Sequence, residues 1–119
     1  MRTMQLMDEL KFKENEPSAE PLLVDKDGRI LRFCLQPHQQ MAEHNVPHSP
    51  FSVVVLKGQG IFTDGAGKEA QLGPNALVVF EPGENHAVRA LEQELVFVGF
   101  LAGVPGTREE RVGGRMGDG

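Results

Sequence analysis

The 119-residue chain has the length of one domain, enough for a single hydrophobic core. Twelve basic against seventeen acidic side chains give a net charge of −5, which argues against a nucleic-acid partner. No run approaches the ~18 apolar residues of a membrane span, and the first residues, MRTMQLMDEL, lack a signal peptide's apolar core. The one cysteine, Cys34, has no internal disulfide partner, so a reducing, cytoplasmic setting is expected.

Residues 1–21 place apolar side chains at Met4, Met7, Leu10 and Phe12, a spacing that predicts a short amphipathic helix ended by Asn15, Pro17 and Pro21. Such a helix would cap the core or pack on a neighbouring copy. Residues 22–101 read as β throughout. Leu22–Val24 meets the turn Asp25-Lys26-Asp27-Gly28, after which Arg29–Leu35 alternates as a second strand. Ser52–Leu56, Ile61–Thr63, Ala76–Phe80, Ala87–Ala90 and Leu95–Leu101 follow, each bounded by Gly, Pro or charge. Short strands at this spacing predict an antiparallel sandwich or barrel. Phe33, Phe51, Phe62, Phe80 and Phe97 are expected inside it, as pocket wall or as ordinary core. Residues 102–119, rich in Gly with interleaved Arg and acids, read as a flexible tail.

Four histidines carry the chemical signal. His38, His44 and His48 fall within eleven residues, and His86 follows the turn Pro82-Gly83-Glu84-Asn85. Neutral imidazole is the commonest metal ligand, so convergence of these side chains would hold a divalent ion; scattered histidines would merely be solvated. His44 and His48 would be ~13 Å apart in an extended strand, so both reach one ion only if the chain bends. Pro47 and Pro50 make a bend there reasonable. Ser49 and Ser52 are near His48 in sequence alone, weak grounds for a hydrolase.

The stretches EHNVPHSPFSVVVLKGQG and LGPNALVVFEPGENHAVRALE resemble the two motifs of a small single-domain cupin, over roughly residues 30–101. The first motif, G-x5-H-x-H-x3/4-E-x6-G, aligns on Gly58 and places His44 on its first histidine. His38 then stands at the first glycine, Val46 at the second histidine and Phe51 at the glutamate. In the second motif, G-x5-P-x-G-x2-H-x3-N, Gly83 and His86 match, while Asn75, Glu81 and Ala90 depart. The resemblance implies a cupin-type antiparallel β-barrel (a double-stranded β-helix or jelly roll) with a short N-terminal helix. It also implies a homodimer and a divalent iron, manganese, nickel or zinc ion. By this resemblance His44 and His86 are ligands, His48 replaces the missing second histidine, and His38 is a fourth ligand or a turn residue. Because Phe51 cannot ligate, an all-imidazole site keeps the ion's full charge unless water ionises or an anion binds. Glu43 and Glu84 are candidates to compensate it. The expected function is metal-dependent chemistry on a small molecule, of dioxygenase or isomerase type. The alternative is a non-catalytic small-ligand barrel with structural metal or none.

Overall fold

Alternating inward apolar side chains, as at Phe51, Val53 and Val55, mark the central strands of the computed structural model, which describes residues 1–103 and has nine strands among them. They are β1 (Ser18–Asp25), β2 (Gly28–Leu35), β3 (Gln40–His44), β4 (Phe51–Lys57), β5 (Gly60–Thr63), β6 (Glu69–Leu72), β7 (Leu77–Phe80), β8 (His86–Ala90) and β9 (Leu95–Ala102). All pairings are antiparallel. One sheet has the order β1-β2-β9-β4-β7 and the other β3-β8-β5-β6. The expected tail falls mostly on residues 104–119, outside the described residues. Among the described residues no helix is long and apolar enough to cross a membrane.

The core lies between the sheets. All five expected phenylalanines are buried in it, with Phe33 stacked on Phe97 at 4.8 Å between ring centroids. Gly99 in the middle of β9 makes room for this packing: a Cβ there would collide with the Phe51 ring and lie 3.2 Å from Phe33. The phenylalanines therefore fill the interior as core.

The N-terminal helix is not formed. Instead residues 1–17 run irregularly over the outer face of the five-stranded sheet, and β1 begins at Ser18. The cause is Arg32, which points outward from β2 yet is only 4% exposed. Its guanidinium donates to the carbonyls of Leu6 (2.9 Å), Asp8 (2.7 Å) and Glu9 (3.1 Å) and to the Glu20 carboxylate (2.6 Å). Those carbonyls would accept intrahelical bonds in a helix, and Glu9 adopts a left-handed φ of 51° that a helix does not permit. Gln36 and Gln39 bind the Lys13 carbonyl at 3.0 Å and extend the attachment. Met4 and Leu6 close an apolar groove against Ile30, Val98 and Phe100. Cys34 is buried on the same outer face, and burial pushes its thiol pKa up, away from nucleophilic use.

Replacing Arg32 with Met leaves three carbonyls and a carboxylate without their donor, a loss of about 3 kcal/mol or more. Limited proteolysis of Arg32→Met is expected to cut within residues 1–17 at protease levels the parent resists, with far-ultraviolet dichroism still β. Equal resistance of parent and variant would show that Arg32 does not anchor the segment.

Candidate functional site

His44 ends β3 and His86 begins β8, and the two are directly paired across the ladder. Side chains opposed in this way have Cβ atoms ~5 Å apart, close enough for imidazoles to meet. A register shift between Met41 and His44 brings them into opposition. The two Nε2 atoms lie 3.1 Å apart.

The tautomers follow from the other ring nitrogens. His44 Nδ1 lies 3.1 Å from the Ala42 carbonyl and His86 Nδ1 lies 3.3 Å from the Glu84 carbonyl. A carbonyl only accepts, so each of these contacts is a hydrogen bond when its Nδ1 carries the proton. With both protons placed so, the two Nε2 atoms face each other as lone pairs; with a proton on either Nε2 they form a hydrogen bond. Two lone pairs at that distance repel, and a cation between them, proton or metal ion, removes the repulsion.

The two histidines differ in setting. His86 is 1% exposed and packs against Phe80 (4.6 Å) and Phe51 (4.9 Å), whose own rings adjoin at 6.4 Å, whereas His44 is half-buried. Burial, then the charge of a protonated His44, lowers the His86 pKa to about 4, against a weaker upward pull from the Glu84 carbonyl. Phe51, at the place where the resembled motif has a carboxylate, is thus part of the aromatic cluster that buries His86.

His38 and His48 are elsewhere. His38 sits in a left-handed turn (φ 68°) at the opposite end of the β3–β8 pair, its N–H donating to the Leu91 carbonyl. The chain does turn at Pro47–Ser49, but His48 is exposed there while Ser49 is buried. The Ser49 hydroxyl donates to the Pro50 carbonyl and accepts from the Ala102 N–H at 2.8 Å, so it anchors the loop to β9. Among the described residues no three His, Cys, Asp or Glu side chains are grouped to hold a metal ion. Glu84 is turned to the N–H groups of Glu81 and Gly65, and Glu43 is exposed.

Sequence reasoning missed Asn45 and Asn85. Asn45 follows His44, Asn85 precedes His86, and their side chains bond each other at 2.7 Å, joining the two loops beside the imidazoles. The Gly83 N–H donates to the Val46 carbonyl at 2.8 Å and reinforces the join, with Gly83 at φ 78° in its turn. The mirrored His-Asn and Asn-His order was the available signal.

A family model described as a cupin domain matches residues 31–100. Among solved structures, the chain is similar to an uncharacterized conserved protein with a double-stranded beta-helix domain from Klebsiella pneumoniae, at 21% identity and a TM-score of 0.81 over 87% of this chain and 90% of that one. An RmlC-like cupin protein from Desulfovibrio desulfuricans matches at 22% identity and TM-score 0.76, over 85% and 96%. KdgF from Halomonas sp. matches at 13% and 0.73, over 87% and 94%. At these identities the structures show likeness of fold. No curated protein matches the chain. The expected cupin-type antiparallel β-barrel is present, without the N-terminal helix.

The His86 pKa makes stability depend on pH. Its folded value of about 4 lies below the ordinary 6.5, so between these values the unfolded chain holds a proton that the native chain lacks. Stability is full above about pH 6.5 and falls as pH drops towards 4, by about 3 kcal/mol in all. Urea denaturation with a chelator present is expected to show this slope, and His86→Phe, which keeps an aromatic ring against Phe51 and Phe80, to flatten it. An unchanged slope in the variant would assign the dependence to other groups.

Proposed function

Because the chain belongs to the cupin domain family, we propose that it is a small metal-binding cupin holding one divalent transition-metal ion between His44 Nε2 and His86 Nε2, for metal-dependent chemistry on a small molecule. The carrying observation is the 3.1 Å opposition of two nitrogens whose proton-bearing partners are already bonded to carbonyls. Donors about 2.0–2.1 Å from one ion at tetrahedral or octahedral angles are themselves ~2.9–3.4 Å apart. The pair therefore fits two neighbouring corners of a coordination shell, where the resemblance implied four. Imidazole nitrogen suits iron, nickel or zinc better than manganese, which prefers oxygen.

When bound, the ion supplies Lewis acidity to oxygen atoms of a small ligand at its open positions. The chain's own residues prepare that place. The carbonyls of Ala42 and Glu84 accept from the two Nδ1 atoms in the tautomer that leaves both Nε2 lone pairs to an ion. Phe51 and Phe80 pack against the His86 ring and shield it from water. The bonded Asn45 and Asn85 hold the neighbouring loops together.

Phe51 in place of the motif's carboxylate also favours a second reading, a non-catalytic barrel that binds a small ligand. Retention of a small molecule by metal-free protein, with no turnover once metal is supplied, distinguishes it.

Metal-free protein is exposed in turn to iron(II), nickel(II) and zinc(II), dialysed, and measured by elemental mass spectrometry. The reading predicts about one equivalent of at least one ion in the parent. It predicts a clear loss in His44→Ala, a half-buried change the fold tolerates. No bound metal in the parent, or undiminished metal in the variant, would overturn it.

A further inference from the structure

The groove between the N-terminal segment and the outer face of the five-stranded sheet takes no part in the histidine site. Leu23, Ile30 and Phe100 stand opposite one another on β1, β2 and β9 and, with Val98, form its floor. A register shift between Pro21 and Leu23 leaves Leu22 as an extra residue on β1. Strict alternation would point Leu22 and Leu23 to opposite faces, whereas this bulge brings both into the groove. Met4 and Leu6 form the roof, held over the sheet because Arg32 binds the Leu6 and Asp8 carbonyls. Between roof and floor is a cavity of about 210 Å³, and two of its walls, Met4 and Phe100, remain 49% and 40% exposed. The segment thus leaves apolar surface open to a further occupant. Among the described residues that line the groove, Arg2 alone is charged, and its 70% exposure places it at the rim. Its guanidinium has five N–H donors and lies 3.8 Å from the Asp25 carboxylate, beyond hydrogen-bond distance, so donors remain for a second carboxylate.

We propose that this groove binds a single-chain carboxylate, its alkyl chain on Ile30, Val98 and Phe100 and its carboxylate on Arg2. Size sets the chain length. A dry apolar cavity of ~150 Å³ takes benzene, so this larger one has room for about eight carbons. Each CH2 buried there tightens binding about fourfold, until the cavity is full. Charge sets the head group. The protein carries a net charge of −5, so an apolar surface with no dedicated cation would favour an alkylammonium ion over a carboxylate. Preference for the carboxylate is therefore the signature of Arg2.

Isothermal titration calorimetry on the full chain, freed of metal by a chelator, uses hexanoate, octanoate, dodecanoate and octylammonium as probes. The expected result is about one octanoate per chain, held about tenfold more tightly than hexanoate and more tightly than octylammonium. Lengthening the chain to dodecanoate should bring no comparable gain. Arg2→Glu, at an exposed position, should reverse the preference between octanoate and octylammonium. Leu23→Trp, which fills the groove from an edge strand, should abolish binding of both. Arg2→Glu decides alone if Leu23→Trp does not fold. No octanoate bound, octylammonium preferred by the parent, or undiminished binding in folded Leu23→Trp would each overturn the proposal. A parent that sediments as a dimer and binds no octanoate gives the groove to a second copy, and overturns it equally.

Discussion

Two imidazole nitrogens facing each other at 3.1 Å, each with its proton committed to a main-chain carbonyl at the far side of its ring, form the constraint around which this end of the barrel is arranged. With both protons on Nδ1 the two Nε2 lone pairs repel, and one cation between them binds the pair together. The ladder between β3 and β8 imposes the meeting through direct pairing of His44 with His86, and a register shift just before His44 sets it. Behind His86 the adjoining rings of Phe51 and Phe80 pack against the imidazole and bury it. Phe51 in turn lies where it does because Gly99 carries no Cβ. A glycine on one sheet thus fixes an imidazole on the other through a single aromatic ring.

Burial makes the two ends of the pair unequal. His86, enclosed in aromatic surface, resists protonation, while His44 meets solvent and the Asn45–Asn85 join. This asymmetry gives the pair a rigid member and an accessible one, an arrangement suited to admitting an ion and then a ligand from one side. On the opposite face of the five-stranded sheet, Arg32 plays the organising role, drawing three carbonyls of the N-terminal segment down onto β2. Cys34, Val96 and Val98 are buried there as a result, although they point away from the core.

Much of the architecture was legible because inward positions in the central strands alternate so regularly. Phe33, Phe51, Phe62, Phe80 and Phe97 were expected inside the barrel, and all five are in the core. The strands β3 and β6 were harder, since both lie at edges of the four-stranded sheet and bury little; Glu69-Ala70-Gln71 is exposed throughout. The N-terminal segment misled because helical spacing of Met4, Met7 and Leu10 is a local signal, whereas its conformation is set by an arginine more than twenty residues away. At the site, motif register placed His44 and His86 but could not reveal the aromatic cluster around His86 or the asparagine pair, which depend on contacts between segments distant in sequence. His48 illustrates the reverse: the bend expected from Pro47 and Pro50 is there, and it turns the imidazole outward.

The central claim, that two imidazoles and no further protein donor hold a divalent ion, is most directly tested by X-ray absorption at the zinc edge of zinc-loaded protein. The account predicts two imidazole ligands at about 2.0 Å, with the remaining positions filled by oxygen from solvent or added anion. Three or four imidazoles, or a spectrum unchanged in a His44→Ala protein, would contradict it.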